Sequence, residues 1–229
     1  MREVERMQWP ERPHLGGPLP VLSTESQLHV GIQICGAART LAPPPDLAAF
    51  DPLAKLAIDV ADGERIPRKQ LDDVSKSSKS DATGLRVAKL TVRAALNHLY
   101  AAPSARNTAG TCVENATSAL ARHLAGVDPE ATHDFLAFVD DTIVRRELAA
   151  QLAERSFSPT SPLARVVSRP LAAGKKSLGL VLAALADGRY GLYVKLKQKW
   201  EWHEGDRATV FATVPDAFME SVIQDLDRV

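Results

Sequence analysis

The apolar residues of this chain change their spacing part-way along it, and that change limits the fold more than any other feature. Leu53, Leu56 and Val60 form one stripe at intervals of three and four, and Leu85, Ala88, Val92, Ala95 and Leu99 form a second. Val113, Ala116, Leu120 and Leu124 form a third, and Phe135, Leu136, Val139, Ile143, Leu148 and Leu152 a fourth. A helix brings residues three and four apart onto one side, so each stripe predicts an amphipathic helix. After residue 178 the period falls to two. Tyr190, Leu192, Val194 and Leu196 alternate with other residues, as one face of a strand does. Asp187-Gly188 separates that run from the apolar run 178–185, which is the pattern of a tight hairpin. Taken alone, 178–185 fits either a strand or a short buried helix. The fold class expected is therefore α+β: a helical bundle followed by a small antiparallel β-sheet with a C-terminal helix.

Breaks in the pattern divide the chain further. Prolines 10, 13, 18 and 20, with Gly16-Gly17, make residues 1–45 an irregular arm. One strand is expected within it, because Leu28, Val30, Ile32 and Ile34 alternate, and Pro43-Pro44-Pro45 closes it. A bundle of four or five helices is expected over 46–157. Asp51-Pro52 and Asp128-Pro129 each read as a capping aspartate followed by proline at the first helical position. A short helix is expected over 67–74 and a polar loop over 75–80. The Ser/Pro-rich residues 156–162 open a linker that covers 158–176. The sheet plus helix then fills 177–229. It should include a turn at His203-Glu204-Gly205-Asp206, a strand over 208–213 and a final helix carrying Phe218, Val222, Ile223 and Leu226.

Composition narrows the functional classes. Lys plus Arg and Asp plus Glu number 28 each, so no global field steers the chain to a polyanion, and any such surface must be local. The two cysteines, Cys35 and Cys112, are far apart and outside any Cys-x-x-Cys pair, so neither a zinc ribbon nor a disulfide framework is expected. No apolar run follows the charged start Met1-Arg2-Glu3, and the run near 178–186 is too short to span a bilayer. A cytoplasmic location without membrane contact is the expectation.

No familiar catalytic signature is present. The nucleophile elbow, the paired-histidine zinc motif and the dinucleotide glycine fingerprint are all missing. Gly174-Lys175-Lys176-Ser177 lacks the first glycine of a phosphate loop. His133, Asp134, Asp140 and Asp141 follow one helix, but no second helix supplies the partner ligands of a di-metal bundle, so no metal and no cofactor is expected. One stretch, Arg93-Ala94-Ala95-Leu96-Asn97-His98, resembles the arginine-to-histidine motif of HEPN-type ribonucleases. It departs from them at Ala94, where a polar residue is usual. The resemblance implies a metal-independent ribonuclease in which Arg93 holds a phosphate and His98 moves a proton. Residues five apart on a helix lie roughly 140° apart, so the site would form across a dimer.

The run 193–202 is the most unusual stretch. Read as one strand, it sets Tyr193, Lys195, Lys197 and Lys199 on one face, where a lysine row beside an aromatic ring can grip phosphates and stack a base. Lys175, Lys176 and Arg189 could extend that patch. Trp200 and Trp202 then fall on the other face, with Leu192, Val194 and Leu196, as anchors for a protein partner. The function expected is that of a non-catalytic binding or assembly subunit. It would act through contacts with another protein or a second copy of itself, with RNA or DNA as a further ligand. The HEPN-like ribonuclease is the alternative.

Overall fold

The computed structural model describes residues 22–76, 82–100, 109–166, 171–173, 176–178, 180–196, 199–216 and 218–219. The arm 1–21, Lys175, Lys197 and the positions Val222, Ile223 and Leu226 lie outside them. Helices come first: α1 (Thr24–Leu41), α2 (Leu47–Ala61), α3 (Arg68–Lys76), α4 (Thr83–Tyr100), α5 (Ala109–Ala125), α6 (Pro129–Phe138) and α7 (Arg145–Glu154). A π-helical stretch, Val139–Val144, joins α6 to α7. Six strands follow: β1 (Leu163–Val166), β2 (Leu171–Ala173), β3 (Lys176–Leu178), β4 (Leu180–Leu185), β5 (Tyr190–Leu196) and β6 (Lys199–Gly205). A short helix, α8 (Arg207–Phe211), comes next. The main sheet is antiparallel in the order β1-β4-β5-β6, and β2 and β3 pair separately. The class is α+β, as the change of period requires.

α4 is the hub of the bundle and packs against α1, α2, α3 and α5. Its stripe Leu85, Ala88, Val92 and Ala95 is buried, and Leu99 packs on the rim of the same core. Asp128 caps α6 with Pro129 in the first turn, its carboxylate accepting from the Glu130 N–H at 2.9 Å. That Asp-Pro signal means what the sequence suggested. The earlier one does not. Asp46 caps α2, accepting from the Ala49 N–H at 3.1 Å, and Pro52 lies inside the helix. The reason is Phe50, 1 % exposed, which lies ahead of Pro52 and must be held on the helix to reach the core. Its burial, ~2–3 kcal/mol, offsets the hydrogen bond that a proline cannot donate. Asp51 instead pairs with Arg39 at 3.2 Å.

The strand expected at residues 28–34 is a helix. Ser23 caps α1, its hydroxyl accepting from the Ser26 N–H at 3.1 Å. The buried positions Leu28, Gly31, Cys35 and Ala38 then follow helical spacing against α4 and α5. The alternation of Leu28, Val30, Ile32 and Ile34 is real, but it left Gly31, Cys35 and Ala38 unread. Gly31 permits the close crossing: a Cβ there would meet a Val113 methyl at 3.0 Å and the Thr91 methyl at 3.6 Å.

Residues 180–185 are strand β4 and Leu178 ends β3, and the Asp187-Gly188 turn joins β4 to β5, with the Leu185 N–H donating to the Arg189 carbonyl at 2.8 Å. The stretch 158–176, expected as a linker, carries β1 and β2. Residues 208–213 are not a strand. Asp206 caps α8 by accepting from the Thr209 N–H at 2.8 Å. The turn expected around His203 falls later, because β6 runs through to Gly205.

The sheet has two covered faces. Leu163, Val166, Val181, Ala183, Leu185 and Tyr193 join the helical core. Leu180, Leu182, Leu192 and Val194 form a second, smaller core with Val210, Val214 and Phe218. The sheet is thus a middle layer between the bundle and the C-terminal segment.

Candidate functional site

The run 193–202 is not one strand. Leu196 pairs with Lys199, Lys195 with Trp200 and Tyr193 with Trp202, so the chain reverses between 196 and 199. Cross-strand partners share a face. The reversal therefore puts Tyr193 and Lys195 on the same side as Trp200 and Trp202, and Lys199 on the opposite side with Val194. Among the described residues, the row expected from alternation is split, with Lys195 and Lys199 on opposite faces. Lys176 sits in β3, and Arg189 is held by Asp187 at 2.7 Å and Glu204 at 4.0 Å.

What the hairpin assembles instead is an aromatic pile topped by cations. Tyr193 is fully buried and stacks on Trp200, with ring centroids 4.5 Å apart and planes 14° off parallel. Phe157 meets Tyr193 edge-on at 6.1 Å. The Tyr193 hydroxyl accepts from the Gln151 side-chain amide at 3.3 Å, and burial pushes its pKa up. The Gln151 carbonyl oxygen in turn accepts from the Ser23 N–H at 2.5 Å. One buried side chain thus ties the first helix to the last helix of the bundle and to the sheet.

Two cations lie over the half-buried Trp200 ring. The Arg155 guanidinium carbon is 5.7 Å from its centroid and the Lys195 ammonium 5.8 Å. Both side chains are exposed, and among the described residues neither has a carboxylate partner. Arg155 is the residue that sequence reasoning missed. It is positioned by the end of α7, where Ser156 adopts a left-handed φ of 62°. The Ser156 N–H donates to the Ala153 carbonyl and the Phe157 N–H to that of Leu152, both at 2.9 Å. This paired closure usually places glycine at the left-handed position. With serine there, no sequence signal marks the turn that swings Arg155 and Phe157 towards the sheet.

Trp202 is an internal anchor. Its indole packs against Gly191 of β5, where a Cβ would overlap the ring. Its Nε1–H donates to Glu204 at 2.7 Å. Burial pushes the Glu204 carboxyl up, but hydrogen bonds from Thr160 and Trp202 outweigh it and hold the carboxyl below the ordinary glutamate value. Trp202 is half-buried against the helical core rather than presented on a free face.

Arg93 and His98 do not converge within one chain. Arg93 is exposed on the side of α4 that faces α5, where its charge favours the thiolate of the otherwise burial-suppressed Cys112. His98 Nδ1 lies 3.1 Å from the Thr24 hydroxyl at the start of α1. Any shared site would need a second subunit.

A second unusual cluster lies in the π-helical stretch. A π turn carries one extra residue and redirects the side chains after it, and such turns gather at functional sites. Here it turns Asp140 inward, beside Asp141 and within reach of Arg165 on β1. Burial, then the Asp141 charge, push the Asp140 carboxyl up to about 7, against a smaller opposing pull from Arg165. Arg165 lies 3.9 Å from the Asp141 carboxylate. Arg145 donates to the Ala164 carbonyl at 2.8 Å, which covers the sheet edge where the β1 register slips. His133 and Asp134 are exposed, and among the described residues no three or more His, Cys, Asp and Glu side chains gather to hold a metal. No described helix is long and apolar enough to cross a membrane.

The chain has no significant match among protein-family models, curated proteins or solved structures.

Proposed function

We propose that the protein is a non-catalytic binding subunit whose contact surface is the cationic end of the β5–β6 hairpin, with single-stranded nucleic acid as the ligand. The observation that carries this reading is the pair Arg155 and Lys195. Two exposed cations, without acidic partners among the described residues, sit over a half-buried indole at the open edge of the sheet. Lys199 adds a third charge on the other side of the same strand end. The arrangement offers charge for a phosphate backbone and an aromatic edge for a base. With a net charge of zero, the local concentration of cations has to supply the affinity. Trp200 and Trp202 stay in this reading as the anchors that fix the hairpin, and a second protein bound at the same edge is the competing occupant.

Fluorescence anisotropy of labelled single-stranded RNA and DNA across a salt series tests the proposal. Each phosphate contact on a single strand adds about 0.7 to the slope of log affinity against log salt. Replacing Arg155 and Lys195 together with alanine should flatten that slope by about 1.4. No binding at low salt, or an unchanged slope in the double variant, would end the proposal. Cleavage of the RNA probe that disappears in His98→Ala would point instead to the HEPN-like alternative through Arg93 and His98.

A further inference from the structure

The outer side of α7 carries a groove that the hairpin reading does not use. It encloses about 700 Å³ between α7 and the segment 157–163. That falls within the roughly 300–1,000 Å³ typical of ligand-sized pockets. Its floor is made by Ala149 and Ala153, one helical turn apart and both exposed, so the backbone of α7 can be approached closely. The facing wall is apolar too, built from Phe157, Pro159 and Pro162. Arg145 and Arg146 stand at the N-terminal end of the floor, Arg146 lies 3.6 Å from the largely buried Glu147 carboxylate, and among the described residues no acidic residue lines the groove.

The wall is fixed before any ligand arrives. Thr160 donates to Glu204 from its backbone N–H at 3.0 Å and from its hydroxyl at 2.5 Å. The Pro162 carbonyl accepts from the Ala186 N–H at 2.9 Å. The Phe157 N–H is held by the end of α7 at 2.9 Å. A wall pinned at both ends and in the middle loses little freedom on binding, which lowers the cost of association.

We infer that this groove docks an acidic, apolar peptide segment of a partner protein, with its aliphatic side chains on the alanine floor and its carboxylates on Arg145 and Arg146. Charge complementarity carries the choice of occupant. Two arginines whose acidic neighbour, Glu147, is largely buried favour carboxylates at the mouth of the groove, and guanidinium groups bind them through paired hydrogen bonds. The Arg145 side chain already gives one N–H to Ala164, and one side of Arg146 faces Glu147 at 3.6 Å, so the outer N–H groups of the more exposed Arg146 make the larger contribution. The inference is independent of the hairpin proposal, because Arg145, Arg146, Ala149 and Ala153 play no part in that reading.

Anisotropy of a fluorescein-labelled peptide of alternating aspartate and leucine tests it, with the lysine–leucine counterpart as the control. The aspartate peptide should bind and the lysine peptide should not. Ala153→Trp, which fills the floor, and Arg146→Glu, which reverses the charge, should each weaken binding at least tenfold. Ala149→Trp serves as a second floor variant should Ala153→Trp lose its native circular dichroism. Absence of peptide binding at low salt, or full binding by a folded floor variant, would overturn the inference. So would displacement of the peptide by single-stranded RNA that Ala153→Trp abolishes, since the groove would then belong to a polyanion.

Discussion

Replacing Asp140 with asparagine should stabilise the protein above neutral pH and change little below pH 4. Asp140 is carried inward by the π-helical stretch and has its carboxyl pushed up to about 7 by burial and by Asp141. In the unfolded chain the same carboxyl titrates near 4, as an ordinary aspartate does. Between those two values the folded state binds the proton more tightly, so folding stability falls as pH rises through that window. Three decades of proton affinity at ~1.4 kcal/mol each would cost the wild type about 4 kcal/mol by pH 8. The side chain is only partly withdrawn from solvent, and water at its open side reduces this to roughly 2 kcal/mol. Asparagine has a similar shape and no charge to desolvate. Urea unfolding of both proteins at pH 3.5, 5, 6.5 and 8 reads the difference directly. The two stabilities should coincide near pH 3.5, be partly separated by pH 5 and differ by about 2 kcal/mol at pH 8, with the variant the more stable. Parallel curves across the whole range would refute the reasoning and mean that Asp140 is hydrated or paired in solution.

Two further outcomes follow from the packing around the sheet. Gly191→Ala should cost about 1–3 kcal/mol, since the added methyl must displace the Trp202 ring, and a thermal melt followed by tryptophan fluorescence would read it. Gln151→Ala should cost about 2–4 kcal/mol in urea, because it strands the Ser23 N–H and the Tyr193 hydroxyl at once. Tyr193→Phe removes only the second of those bonds and should cost about 1 kcal/mol.

The helical core was legible because its stripes are long. Four or five apolar residues at helical spacing, as in α4, leave no competing period. The run at 28–34 is short enough for both periods to fit, and packing against α4 and α5 decided between them. Pro52 misled for a related reason: its local preference for a first turn was overridden by the burial of Phe50. At the hairpin, alternation correctly marked strand but could not show the reversal after Leu196. With Leu196 paired to Lys199, odd positions face even ones, so Lys195 meets Trp200 and Lys199 leaves the face that carries Tyr193 and Lys195. Arg155 was invisible because its placement depends on a serine in a glycine-like conformation and on a partner ring 45 residues further along.

The Gln151 link also bears on how the protein is made. Ser23 and Gln151 are 128 residues apart, and Gln151 reaches on to Tyr193. During synthesis α1 emerges from the ribosome long before either partner exists. Its first turn therefore waits, with the Ser23 amide open to water, until most of the chain has been translated. The Ser23–Gln151 half of this link can close once α7 has left the exit tunnel, and the Gln151–Tyr193 half only after β5 follows, so a polypeptide stalled before residue 193 carries the helices of the bundle but not the contact that ties them to the sheet.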